Sequence, residues 1–257
     1  MELIASHMRV LFFVSERREY VISGYPSEPI LAIAALHHLN EANRQDGSYH
    51  ALSFVRDAVV QCHIATGTRG EFVARLILVL AMCQALHLPN PPAVLMPIQG
   101  VSVKEFLKAL LPTEQALLKF WSRYSCRGRL GATVADVYEK ARIYFTHFVR
   151  YTVEPRATSL YAAVARGQAI QCAFQQEVDI IIPIVLDADA KLAEENISAI
   201  LIQVRNRTSV ATMQPVAAKV GLFGSKLTPY ISILFQLGLK DKKPAGKETK
   251  YTQPAYC

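Results

Sequence analysis

Three runs between residues 168 and 206 constrain this chain more than anything else in it: 168–174, 178–186 and 199–206, the last two built largely of isoleucine, valine and leucine. Such β-branched and aliphatic stretches suit the pleated backbone of a strand. They lack the strict apolar–polar alternation of a sheet with one wet face, so they predict strands covered on both sides. A short helical stretch at 159–165 precedes them, broken by Arg166-Gly167, and a fourth β-rich run, 230–237, follows Pro229. A helix, three strands, a connector and a fourth strand predict an α/β layered fold.

The first 155 residues read differently. The segment 70–88, GEFVARLILVLAMCQALHL, is apolar almost all round and predicts a helix central to a layer, ended by Asn90-Pro91-Pro92. Ser27 and Pro29 open an amphipathic helix over 27–43. Further helices are expected at 103–111, 113–124 and 134–151, with one short strand at 9–14. The organisation that follows is a predominantly helical region over 1–155 packed on a mixed-sheet α/β core over 156–240, then a basic polar tail over 241–257. With 51% hydrophobic residues in 257 there is ample material for a buried core.

Polar residues stand at particular places in those strands. Asp179 lies at the start of the second, and Gln203, Arg205 and Asn206 interrupt the end of the third, ILIQVRNR. Residues two apart on a strand share a face, so Gln203 and Arg205 point the same way. If the two strands are antiparallel neighbours, a carboxylate, an amide oxygen and a cation meet at one sheet edge. Each residue also has an ordinary explanation: a turn or cap for Asp179, a buried amide satisfied by backbone for Gln203, surface charge for Arg205 and Arg207.

The order helix, strand, strand with Asp, strand ending in Gln-x-Arg resembles the PD-(D/E)xK nuclease superfamily, and RGQAIQCAFQQEVDIIIPIVL with SAILIQVRNR is similar to its β-meander over about residues 159–207. SEPILAIAA, RGEFVARLIL and ILIQVRNR together resemble a group of uncharacterised fungal proteins. The nuclease resemblance implies a restriction-endonuclease-like sheet and a metal-dependent phosphodiesterase acting on DNA. It implies Asp179 and Gln203 as ligands to Mg²⁺, and Arg205 at the position of the motif lysine, with Arg205 and Arg207 on phosphate. Arginine keeps the charge and grips phosphate bidentately, but it does not lose a proton at physiological pH. The site is thus expected to bind phosphate and to be catalytically degenerate. Gln203 is neutral where many members carry a carboxylate, and the helix before the first strand has no glutamate, which leaves Glu71 or Glu154 to fold back and complete the site. A non-catalytic interaction protein on the same scaffold is the alternative.

Other classes are less well supported. Five cysteines, widely spaced and without a CxxC pair, fit neither a disulfide framework nor a zinc ribbon, and point to a reducing, intracellular setting, nuclear for a DNA-binding chain. His37 and His38 are adjacent, so on a helix they diverge by about 100° and do not share one ion. Cys62-His63, and His147 with Cys172, lack an orienting third group for thiol catalysis. Tyr144, Phe145, His147, Phe148 and Tyr151 read as core rather than a base-stacking platform. The 28 Lys+Arg against 21 Asp+Glu lean towards anionic partners, partly through the lysine-rich tail. No secretory signal is expected, and 72–88, interrupted by Arg75 and Gln84, falls short of a membrane span.

Overall fold

A computed structural model describes residues 10–17, 21–24, 57, 69–86, 100–111, 113–121, 133–173, 178–206, 222–223 and 228–237. The 27–43 helix with His37, His38 and Glu41, the Cys62-His63 pair, Asn90-Pro91-Pro92, Arg207 and the basic tail lie outside these residues.

Two strands, β1 (Val10–Val14) and β2 (Val21–Gly24), pair as an antiparallel hairpin. Helix α1 (Arg69–Ala85) follows, then the short strand β3 (Val101–Ser102) running straight into α2 (Val103–Leu110). Ser102 starts α2 by accepting the Glu105 N–H on its hydroxyl at 3.2 Å. Helices α3 (Glu114–Trp121) and α4 (Val134–Tyr138) come next, the latter opened by a reciprocal box in which Thr133 and Asp136 each cap the other's backbone N–H.

From here the chain departs from expectation. The predicted helix over 134–151 stops at Tyr138, and two strands replace its second half: β4 (Arg142–Ile143) and β5 (His147–Tyr151). The segment RIYFTHFVRY is rich in β-branched and aromatic residues, and β5 finds a parallel partner in β6 (Gln168–Cys172) along its whole length. Pairing and burial decide against the helix. The sheet accordingly reaches back into the region read as helical. The core role expected of the aromatic group holds for Phe145, which is buried edge-on to Phe106 at 6.0 Å and packs against Phe148 at 5.5 Å.

Helix α5 (Ala157–Ala165) carries the chain from β5 to β6, and β7 (Ile180–Val185), β8 (Ile197–Arg205) and β9 (Ile231–Gln236) complete a seven-stranded mixed sheet. Strands β6, β7 and β8 form an antiparallel meander, and β9 lies parallel to β8. Helices plus a mixed sheet make this an α/β protein, as the sequence predicts.

Pro183 explains why the sheet forks. One edge of β7 is paired with β8 from Ile180 to Val185, while the other meets β6 at Ile180 and Ile181 and β4 at Val185. Ladder bonds alternate along an antiparallel strand, and Leu186 N–H to the Asn196 carbonyl sets the even residues of β7 towards β8. The odd residues face the forked edge. Pro183, which has no N–H to give, falls in the gap between β6 and β4.

Both faces are covered. Ala74 and Leu78 of α1 and Phe106 of α2 pack with Ile180, Ile182, Ile184, Ile200 and Ile202 on one side. Leu160 and Ala163 of α5 pack with Ile170, Ile181, Ala199 and Leu201 on the other. Each fully buried isoleucine contributes about 1.5–3 kcal/mol of transfer free energy, so the meander is the most heavily stabilised part of the described chain. No helix among the described residues is long and apolar enough to cross a membrane.

Gly167 joins α5 to β6 with φ of 61°, in the left-handed region, and its N–H closes on the Val164 carbonyl at 3.1 Å. An added Cβ would stand 3.1 Å from the Tyr144 carbonyl oxygen, which is backbone and cannot swing aside. Gly167→Ala is expected to cost about 1–2 kcal/mol, read as a lower urea midpoint with an unchanged slope.

Candidate functional site

The meander fixes which strand ends meet. Because β6 and β8 both run antiparallel to β7, the ends of β6 at Cys172 and of β8 at Arg205 come together with the start of β7, just after Asp179. Helix α1 begins at the same end: a Cβ on Gly70 would lie 3.1 Å from Cβ of Asn206 and 3.4 Å from Val204. Only a residue without a side chain lets the helix start so close to the strand.

Asp179 is held by its backbone on both sides. Its carbonyl accepts the Cys172 N–H at 2.9 Å, its own N–H donates to the Ile202 carbonyl at 2.9 Å, and its Oδ2 accepts the Val204 N–H at 2.6 Å. Continuing the β7–β8 ladder past Ile180 would give that Val204 N–H to a carbonyl of the next rung. The carboxylate takes that place instead, and the aspartate brackets Gln203 between its two bonds. Burial holds the Asp179 carboxyl above the usual aspartate range; the Val204 bond opposes this, the charge of Glu71 adds to it, and Arg205 pulls back down.

Glu71 comes from the first turn of α1, where a carboxylate suits the positive end of the helix dipole. Its Oε2 accepts a hydrogen bond of 2.6 Å from Nε2 of Gln171 on β6. Register places Gln171 opposite Ile180, so its side chain shares the α1 face, while alternation along β8 puts Gln203 and Arg205 with Leu201 on the α5 face. Four groups therefore gather at one end of the sheet: Glu71 and Gln171 from one side, Gln203 and Arg205 from the other, and Asp179 in the plane between them.

Of the residues predicted from sequence, Asp179 and Arg205 are within electrostatic reach of each other. Gln203 meets Asp179 through the backbone, and it is only 6% exposed. Arg205 is half-buried at the last position of β8, where it pairs in register with Gln236. Glu71, rather than Glu154, is the carboxylate whose charge reaches Asp179; Glu154 is exposed on the turn between β5 and α5. Gln171 was not anticipated. Its partner is 100 residues away, and the one local signal was its place in QAIQC, on the face opposite the core-lining Ile170.

Two neighbouring features are not part of this chemistry. Arg75, one turn along α1 from Glu71, has its Nε buried without a hydrogen-bond partner, and desolvation lowers its pKa while Glu71 raises it. Cys172 has its thiol pushed up to about 12 by burial and by Asp179, the opposite of an activated nucleophile. His147 and Cys172 also pair with opposite ends of the β5–β6 ladder, about 13 Å apart along the strands, which separates that pair as a catalytic couple.

The family described as a domain of unknown function, DUF8736, matches residues 1–222. No curated protein and no solved structure matches the chain.

Proposed function

The chain belongs to that family of unknown function, and from its sheet-end cluster we propose a nuclease-like protein of the PD-(D/E)xK type that binds DNA through backbone phosphate and Mg²⁺, with catalysis degenerate at Arg205. One observation carries the reading: Asp179, at the start of β7, is flanked by the guanidinium of Arg205 and by the second carboxylate of Glu71. The antiparallel β6–β7–β8 meander with β9 parallel to β8 supports a restriction-endonuclease-like sheet.

The donors suit Mg²⁺, which is commonly held by one or two carboxylates and keeps several of its waters. Asp179 and Glu71 would hold it, and the strain of burying one carboxylate near another is what a divalent ion relieves. Among the described residues no three His, Cys, Asp or Glu side chains cluster, so this is a watered site and not a closed cage. When bound, the ion would supply a water of lowered pKa and offset charge on phosphate. Gln203, first expected as a ligand, is better suited to filling the α5 face, since its amide is buried. Arg205 grips a phosphate oxygen pair but takes no proton from an attacking water. Binding is thus retained and turnover is weak.

Supercoiled plasmid with Mg²⁺ or Mn²⁺ tests this. Slow nicking that disappears in Asp179→Ala is the expected result, as is DNA affinity that falls with salt, with a slope about one unit shallower in Arg205→Ala. A flat salt dependence with no nicking would favour the second reading, a non-catalytic interaction scaffold. That reading draws on the Oδ2 bond of Asp179 to the Val204 N–H, which makes the aspartate a structural cap of β8.

A further inference from the structure

The 2.6 Å bond from Gln171 to Glu71 is the direct side-chain link described between the helix that brings one carboxylate and the sheet that brings the other. A carboxylate only accepts, so the amide nitrogen of Gln171 faces it and fixes which way the glutamine is turned. The helix start itself is fixed by Gly70 against Asn206 and Val204. That contact sets where the α1 backbone sits but not where the long Glu71 side chain points. Left alone, Glu71 has a competing partner: Arg75 stands four residues on, the spacing at which opposite charges on a helix attract, and its charge is felt by Glu71. Such a pairing would draw the carboxylate along α1, away from the strand ends. Gln171 pulls the other way, because it stands opposite Ile180, one residue from Asp179.

We infer that Gln171 is a positioning residue, which holds the Glu71 carboxylate at the Asp179 end of the sheet so that the two acids can share one divalent cation. The inference rests on the metal reading proposed above. An outer hydrogen-bond partner of this kind changes metal affinity through the ligand it orients, and its effect vanishes once that ligand is gone.

The test is a double-mutant cycle on the full chain, with Mn²⁺ affinity measured by titration calorimetry and folding checked by urea midpoint. Gln171→Met, close in length and apolar, is expected to weaken Mn²⁺ binding about 10–100-fold. In a Glu71→Gln background the same change is expected to have no further effect, which a merely structural role for Gln171 would not produce. Should the methionine variant fail to fold, Gln171→Asn keeps the amide but is one carbon too short to span, and the same loss is expected. Equal losses in both backgrounds, or wild-type affinity in the single variant, overturn the positioning role while leaving the metal site standing. Wild-type protein that binds no Mn²⁺ overturns the site and the inference together.

Discussion

Arg205→Lys is expected to raise the rate of plasmid nicking in Mg²⁺ by about 100-fold over the wild-type chain, the lower end of what a positioned proton acceptor contributes. Arg205 sits at the last position of β8, half-buried, close enough to Asp179 to draw down its pKa. Its guanidinium stays protonated at any working pH, so it can hold a phosphate and do nothing with a proton. A lysine at the same place keeps the positive charge. Its amine shifts pKa readily when partly desolvated, and so can exchange a proton with a water near the phosphate. The opposing effect is a weaker grip, since a point charge replaces a bidentate fork. That loss amounts to a few kcal/mol at most and falls on binding, where it is visible separately as a higher dissociation constant for DNA. Initial nicking rates at saturating DNA isolate the gain. Unchanged nicking and unchanged affinity would show that Arg205 touches neither phosphate nor water, and would leave the scaffold reading in possession.

The strands at 168–172, 180–185, 197–205 and 231–236 were legible because burial on both faces forces a composition that few other structures tolerate. The helix at 69–85 was legible for a similar reason, as a long apolar segment with an acid in its first turn. Residues 142–151 were not. Their aromatic and branched residues fit a helix face or a strand equally well, and the choice was made by β6, which lies further along the chain and pairs with every residue of β5. The proline at 183 was visible as a break in laddering, yet its consequence depends on two strands, β4 and β6, sharing one edge of β7. In the candidate site, Asp179 and Arg205 could be paired from strand order alone. What strand order does not contain is the face of the sheet on which a distant helix lands. Glu71 therefore stood as one of two candidates, and Gln171 had no local mark of its role. Even Gln203 shows the limit: its spacing from Arg205 was read correctly, but whether that face is wet depends on α5, whose packing buries the amide.

Asp179→Asn is expected to make the metal-free protein more stable than wild type at neutral pH, whereas Asp179→Ala loses up to about 3 kcal/mol, and the contrast separates the charge of this residue from its cap. The amide oxygen of asparagine can still accept the Val204 N–H that Oδ2 holds at 2.6 Å, while alanine leaves that donor without a partner. The charge acts in the other direction. Burial, with Glu71 adding to it, raises the Asp179 pKa in the folded chain above its unfolded value. Between those two values the folded state binds the extra proton, so wild-type stability falls as pH rises through that interval and stays lower above it. The asparagine variant has no proton to lose there and should show a flatter profile. Urea unfolding across the acid-to-neutral range measures this, and parallel profiles for the two proteins would mean that the carboxylate is not strained by its surroundings. Adding Mn²⁺ then reverses the order. At 100 times its dissociation constant a ligand that binds only the folded state contributes about 2.7 kcal/mol. Wild type should gain that amount and Asp179→Asn little of it, because the charge that burdens the empty fold is the one that draws the cation.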